Sequence, residues 1–381
     1  MRFNPLAPSF RADPYPQYAA LREAPPVRTL GMWVLTRHAD VVAVLRDRSV
    51  SAELIPQVVA RRGPGAEAIL RLGRASLVFT DDPAHARLRG LVNRVFTTAA
   101  VEELTPLVEA AVDARTAGLA GTVELMATVA DPLPVEVLCT WLGLPTALHG
   151  RVARWTHEVR LLLEPGLMTE DDLARVAAVV ETFAGTLADV RTAGLLHELR
   201  RARTAGGDRL SEEEVAFLGI MCFVAGTETS AALIGNAVLA LLAHPDQVGA
   251  ARARPAAAVR EVLRHDSPLQ MTTRRAGGDL VVGDARIAAG EQLLLCLGAA
   301  NRDPRVFEDP DRFDVDRPPG PHLGFGFGMH GCLGGALAEL VAGRTLGALL
   351  ERGLRPAGPV RRRTDSGIVR GPAELPVQVG P

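Results

Sequence analysis

The stretch Phe325-Gly326-Phe327-Gly328-Met329-His330-Gly331-Cys332-Leu333-Gly334-Gly335 sets one cysteine among five glycines. An apolar run with helical spacing follows over residues 333–350. Glycine takes positive φ without a steric cost and lets the backbone approach a large flat ligand. A helix that starts just past Cys332 points its N-terminal N–H groups and the positive end of its dipole at the sulfur, which favours the thiolate. A thiolate held by backbone donors in a dry loop is suited to ligate haem iron. The competing reading is a buried, inert cysteine in a glycine-rich turn.

A second group with chemical potential is Ala225-Gly226-Thr227-Glu228-Thr229-Ser230. It lies in the middle of a long apolar helix predicted over residues 211–244. Glycine inside a helix costs roughly 1 kcal/mol relative to alanine, and a buried carboxylate must be paired or hydrated. A local rule broken at one place marks a functional site. Gly226 would leave room for a small ligand such as O2. Thr229 would bond a backbone carbonyl or a bound oxygen species, and Glu228 would relay protons from water. A helix kinked by hydroxyls that bond back to the i−4 carbonyl is the alternative. Two further pairs share a helix face: Glu261 with Arg264 at i,i+3, and His85 with Arg89 at i,i+4. Taken alone, each pair is no more than a surface pair.

Together these motifs resemble the cytochrome P-450 family. Phe325, Gly328, Cys332 and Gly334 fill its haem-binding signature Phe-x-x-Gly-x-x-x-Cys-x-Gly, and residues 225–230 fill its oxygen-activating motif. The resemblance implies haem b ligated by Cys332, with Phe325, Gly326, Gly334 and Ala225 against it. The propionates would be held by His85, Arg89, Arg274 and His330, with Arg275 as the neighbouring alternative to Arg274. Ala225, Gly226, Glu228 and Thr229 would serve catalysis. Glu261, Arg264 and Arg312 would form a structural triad behind the haem, Arg312 coming from Asp309-Pro310-Asp311-Arg312-Phe313.

The implied fold is mainly α with small β-sheets (α+β), a triangular-prism helical body around a long central helix. The implied activity inserts one oxygen atom of O2 into a substrate. A ferredoxin and its reductase would supply electrons, with Arg87, Arg94 and Arg344 as the side chains that meet the ferredoxin. Cross-linking, epoxidation or ring closure on the same fold stays open, as does a haem ligand sensor without turnover.

The family's pocket positions hold Leu72, Leu77, Val78, Met221, Cys222, Ala225, Leu269, Met271, Ile368 and Val369, with Arg71 and Gln270 as polar exceptions. Aromatic residues make up 4% of the chain, so stacking would not dominate recognition. The lining implies a medium to large apolar molecule with a few oxygens, such as a polyketide, macrolide or terpenoid intermediate.

The elements that must position these groups follow from spacing and turn signals. Helices are predicted near 14–24, 39–47, 83–95, 100–118, 123–142, 148–163, 169–190, 211–244 and 256–265. Strands are predicted around 27–36, across 266–300 and in a C-terminal hairpin. Residues 54–80 read as irregular, and a loop of that length in a compact unit is usually functional. Ser211 and Glu214 make a capping box. The 33 or so residues of the central helix span roughly 50 Å. The resemblance is weakest over 145–210, where the connection near 192–205 is compressed.

The chain has 381 residues and a formal net charge of −2, which gives no bulk attraction to nucleic acid or anionic membrane. No linker, charge block or repeat divides it, and the motifs come from both halves, so residues 1–381 read as a single domain. The four cysteines show no paired spacing. The N-terminus has no apolar signal-like run, and the chain reads as cytoplasmic and monomeric.

Overall fold

The computed structural model describes residues 3–55 and 66–380, so residues 56–65 of the stretch predicted as irregular lie outside it. The chain divides into two compact units. One comprises Met1–Ser51, Val112–Asp131 and Thr229–Pro381; the other comprises Ala52–Ala111 and Pro132–Glu228.

The first unit is built on a five-stranded sheet in the order Val27–Thr29, Met32–Leu35, Gln292–Leu295, Thr272–Ala276, Val50–Ser51. Its first hairpin turns at Leu30 and Gly31, with φ of 50° and 77°. Positive φ at both central residues matches the right-handed twist of the flanking strands. Residues 293–295 are buried on both faces. Leu293 and Leu295 pack with Leu35 of the neighbouring strand and with Val41 and Leu45 of helix His38–Arg46, and Leu294 packs with Phe3, Phe10, Tyr18 and Met271. That alternation is the period of two expected of a strand. The helices Pro255–His265 and Gly335–Glu351 pack against each other in the same unit.

The helix predicted over 123–142 begins as something else. Gly121–Glu124 is a strand paired with Pro376–Val379, which also pairs with Leu354–Pro356. One wide helical turn, Met126–Ala130, and then the helix Pro132–Leu142 follow. Glu124 ends the strand because its carboxylate accepts from the N–H groups of Met126, Ala127 and Leu375 at 3.2, 2.6 and 2.7 Å. The segment predicted as one helix over 100–118 is two, Thr98–Glu102 and Thr105–Thr116.

The second unit is a stack of helices. Glu170–Asp189 and Glu212–Gly226 pack together, and both start with capping boxes, Thr169 with Asp172 and Ser211 with Glu214. A Cβ on Gly219 would lie 2.9 Å from Leu187 and 3.1 Å from Leu196, so glycine sets how closely these helices approach. The compressed connection holds a short helix of its own, Leu195–Arg201. Arg200 donates to the carbonyls of Leu187 and Val190 at 3.1 and 2.8 Å, capping the end of the preceding helix. The irregular stretch also contains a helix, Glu67–Arg74, with Ile69 and Leu72 fully buried.

The long central helix is interrupted. Glu212–Gly226 ends at Thr227, and Glu228–Ala243 begins beyond it. Thr227 Oγ1 donates to the Phe223 carbonyl at 2.8 Å, the back-bonding that bends helices. The whole stretch 212–243 is long and apolar enough to cross a membrane, but 72% of its apolar window is buried within the protein.

Candidate functional site

Cys332 lies between a short 3-10 turn, Gly328–His330, and helix Gly335–Glu351, whose N-cap is Gly334. Its backbone N–H donates to the Phe325 carbonyl at 2.8 Å, which closes the loop on itself. The glycines around it divide by task. Gly328 has φ +72°, and a Cβ there would sit 2.5 Å from the Leu45 carbonyl oxygen. A Cβ on Gly335 would sit 3.2 Å from the Phe325 ring. These two pack the loop. Gly334 faces open space, with nothing within 4 Å of a Cβ.

Cys332 itself is exposed, whereas Cys139 and Cys296 are fully buried and Cys222 is half-buried. Burial pushes the Cys139 and Cys222 thiols up to about 12 and the Cys296 thiol higher still. Of the four, only Cys332 has both the loop and the accessible side chain that ligation of an external metal requires. An exposed thiol beside an open glycine face fits a flat prosthetic group.

The break in the central helix holds the second group of candidate residues. Residues on either side are buried, yet Ala225 is exposed and Gly226, Glu228 and Thr229 are half-buried. A mid-helix alanine left uncovered marks the side from which a ligand can approach. Gly226 does not provide that room. A Cβ there would meet Leu138 of helix Pro132–Leu142 at 3.2 Å, so the missing side chain accommodates a neighbouring helix. Glu228 pairs with Arg160, Oε1 to Nε at 3.5 Å, and the two side chains are 13% and 14% exposed. A carboxylate so enclosed needs this kind of partner. Nothing in the local sequence pairs the two positions, and Arg160 is a site residue that sequence reasoning missed.

Among the residues assigned to the propionates, His85 is buried in helix Ala84–Val92 and Arg89 lies one turn on. Burial and then the Arg89 charge hold the His85 imidazole below its ordinary range. Arg274 donates to Thr272 Oγ1 and the Thr273 carbonyl at 3.0 and 2.8 Å, whereas Arg275 turns to the Gly290 carbonyl at 3.3 Å. Arg275 is therefore committed to the turn at 290, which favours Arg274 of the two. His330 is half-buried on the 3-10 turn two residues before Cys332.

The triad needs a correction. Arg264 forks onto Glu261 through Nε–Oε2 at 2.9 Å and Nη2–Oε1 at 2.7 Å, with both side chains buried. The third side chain to reach Glu261 is Arg317, Nε to Oε1 at 3.3 Å. The Arg312 side chain is 64% exposed and pairs with Asp314 at 3.7 Å. Only the Arg312 carbonyl takes part, accepting from Arg264 and Arg317 at 3.0 and 3.1 Å.

The pocket candidates also divide. Leu72 and Met271 are fully buried, and Met221 and Val369 nearly so. Leu77, Cys222, Leu269 and Ile368 are half-buried, and Val78 is exposed. Leu269 and Val369 form a β-bridge that ties the two pocket loops of the first unit together. Arg71 is no substrate-orienting group, because it is bound in ion pairs to Glu181 and, at 3.3 Å, to Glu213. Gln270 donates through Nε2 to the Ser267 carbonyl at 2.8 Å. Of the arginines proposed to meet a redox partner, Arg87 is held by Asp208 at 2.9 Å and Glu214 at 2.6 Å, while Arg94 and Arg344 are exposed.

Known proteins with this arrangement are haem oxygenating enzymes. The sequence profile of the Cytochrome P450 family matches residues 256–352. Cytochrome P450 107B1 of Saccharopolyspora erythraea is 38% identical, over 98% of this chain and 96% of its own length. The 6-deoxyerythronolide B hydroxylase of the same organism is 35% identical over 97% of each chain. The crystal structure of P450BioI in complex with hexadec-9Z-enoic acid ligated acyl carrier protein superposes with a TM-score of 0.89, at 30% identity, over 97% of this chain and 100% of that one.

The chain belongs to the cytochrome P450 family. It is a P450 monooxygenase, and with the family come a haem-iron cofactor, O2 as co-substrate and redox partners as electron source.

Proposed function

We propose that this chain binds haem b through the Cys332 thiolate and hydroxylates a medium to large, mostly apolar natural-product intermediate of the polyketide, macrolide or terpenoid kind. The observation that carries the reading is the exposed Cys332 in a loop closed by its own backbone, beside an open glycine face. The bound haem supplies oxygen activation and the redox chemistry.

The chain's own residues bind, orient and exclude water. Phe325, Gly326, Gly334 and Ala225 contact the macrocycle. His85, Arg89, Arg274 and His330 hold the propionates, whose charge favours a protonated His85. Glu228 takes a proton from water at its carboxylate and passes it to the Thr229 hydroxyl, which presents it at the oxygen site. Arg160 fixes the carboxylate between transfers, since the two side chains already stand 3.5 Å apart. The whole chain works as one domain, a reading supported by a relative matched over 98% of its length.

Substrate recognition rests on Leu77, Val78, Cys222, Leu269 and Ile368, which keep exposed surface. A relative named for hydroxylating 6-deoxyerythronolide B supports a polyketide-type substrate. Electrons come from a ferredoxin and its reductase, steered by Arg94 and Arg344, and the enzyme works as a cytoplasmic monomer without nucleic-acid or membrane partners. The test is a panel of macrolides, terpenoids and small acids titrated against the ferric protein. Macrolides or terpenoids should shift the Soret band at micromolar concentration; a response to small charged acids alone would contradict the apolar-pocket reading.

A further inference from the structure

A cleft between helix Pro8–Ala12 and the C-terminal loop 362–371 collects four arginines, Arg11, Arg362, Arg363 and Arg370, in a wall otherwise made of apolar groups such as Phe10 and Ile368. Their charges are unequally matched. Arg370 bonds Asp266 at 2.8 Å and Arg362 approaches the other oxygen of the same carboxylate at 3.5 Å. Arg363 pairs with Asp365 at 3.2 Å. Among the described residues Arg11 has no carboxylate partner. Its Nη1 donates to the Thr364 carbonyl, and its buried Nε has no hydrogen-bond partner among the described residues. Burial and the neighbouring Arg370 charge hold the Arg362 guanidinium below its ordinary range, as expected where cations outnumber anions.

Gln270 borders the same cleft, with its side-chain amide packed against Gly298. Gln270 is 3% exposed, and its Nε2 is satisfied by Ser267, yet its Oε1 has no partner. Buried polar atoms left unsatisfied cost about 1–3 kcal/mol each. The Arg11 donor left so, in a cleft that gathers four arginines, suits a ligand that carries an anion. The cleft is half open to solvent, and its cavity volume is about 20 Å³. That admits little more than one water-sized group, such as a single carboxylate or phosphate oxygen, so the rest of the ligand must run outward over the apolar groups.

We propose that this cleft binds the anionic end, a carboxylate or a phosphate, of a mostly apolar molecule, with Arg11 as the residue that selects for charge. The loop that lines the cleft also carries Ile368 and Val369, assigned above to the substrate pocket. In that respect only, the inference rests on the proposed function: it makes the substrate an acid or a phosphate ester with a large apolar body.

The test uses the holoenzyme and three probes of one chain length: dodecanoate, dodecyl phosphate and dodecanol. Binding is read by calorimetry at low salt. The wild type should bind one or both anions at least about tenfold more tightly than the alcohol, and the preferred anion tells a free acid from a phosphate ester. Arg11→Gln should bring anion and alcohol within about twofold, leaving dodecanol affinity unchanged, and Arg11→Lys should restore part of the preference. Equal affinity of all three probes for the wild type would overturn the proposal and leave a bridging water as the only occupant. So would a preference that survives Arg11→Gln. The spectrum of the reduced protein with CO reports the haem site separately, so loss of the anion preference with that spectrum intact implicates the cleft alone.

Discussion

Replacing Arg317 should weaken the protein far more than replacing Arg312, although the two are five residues apart in the same coil. The Arg317 guanidinium, 15% exposed, reaches Glu261 and also donates to the carbonyls of Glu308, Asp309 and Arg312 at 2.6, 3.1 and 3.1 Å. Net contributions of about 1 kcal/mol per neutral acceptor, more for the charged one, give a loss of roughly 2–4 kcal/mol for Arg317→Ala. Arg264→Ala strands the Glu261 carboxylate, whose side chain is 4% exposed, and should cost about 3–5 kcal/mol. Arg312→Ala removes one exposed contact with Asp314, in a class whose median is about 0–1 kcal/mol. The assay is urea unfolding of the holoproteins, followed by circular dichroism and by the ratio of Soret to protein absorbance. The expected order of midpoints and of haem retention is Arg312→Ala near wild type, then Arg317→Ala, then Arg264→Ala. A loss in Arg312→Ala as large as in Arg317→Ala would refute the reasoning, because it would require the Arg312 side chain to reach Glu261.

Thr229→Ala should keep haem and substrate binding but divert reducing equivalents to peroxide; unchanged product per NADPH would remove Thr229 from proton delivery. Arg160→Gln and Glu228→Gln should each slow turnover, and the double variant should be no slower than the worse single one, as for groups acting as one unit; additive losses would separate them. Acid should destabilise the fold through imidazoles that the native structure holds neutral. Burial, then the Arg302 charge, holds His265 down to about 3, and its ring is fixed as the neutral form by Arg302 donating to Nδ1 at 3.2 Å and by Nε2 bonding the Asp311 carbonyl at 3.0 Å. An unfolded histidine titrates near 6.5. Between these values the unfolded chain holds a proton that the native one lacks, so stability falls as pH drops from about 6.5 towards 3, by up to about 1.4 kcal/mol per pH unit for this site. Burial holds His85 and His322 down as well, adding slopes of the same sign. His265→Gln should flatten the pH dependence of the unfolding midpoint below pH 6.5, and an unaltered slope would count against it.

What was legible in the sequence is what local chemistry decides. The capping box at Ser211, the turn at Gly31 and the loop around Cys332 depend on residues within a few positions of each other, and all three have the expected form. What was not legible depends on partners far along the chain. Val123 and Glu124 read as the start of a helix until Pro376–Val379 claims their hydrogen bonds. Glu228 meets Arg160 from 68 positions away, and Arg71 is drawn off by Glu181 and Glu213. The triad shows a finer limit. Arg312 and Arg317 are equivalent as residue types in a coil, and only the backbone path decides which guanidinium faces Glu261 and which carbonyl faces Arg264. Gly226 carries the same lesson, since Leu138 fills the space its missing side chain leaves.

The central claim is that Cys332 ligates the haem iron as a thiolate. The measurement that tests it most directly is the difference spectrum of the reduced protein with CO, for wild type and Cys332→Ala. The account predicts the red-shifted Soret band of thiolate-ligated haem in the wild type and its loss in the variant, with Cys139→Ala, Cys222→Ala and Cys296→Ala retaining it. A red-shifted band that persists in Cys332→Ala would contradict the account, because another residue would then be the ligand.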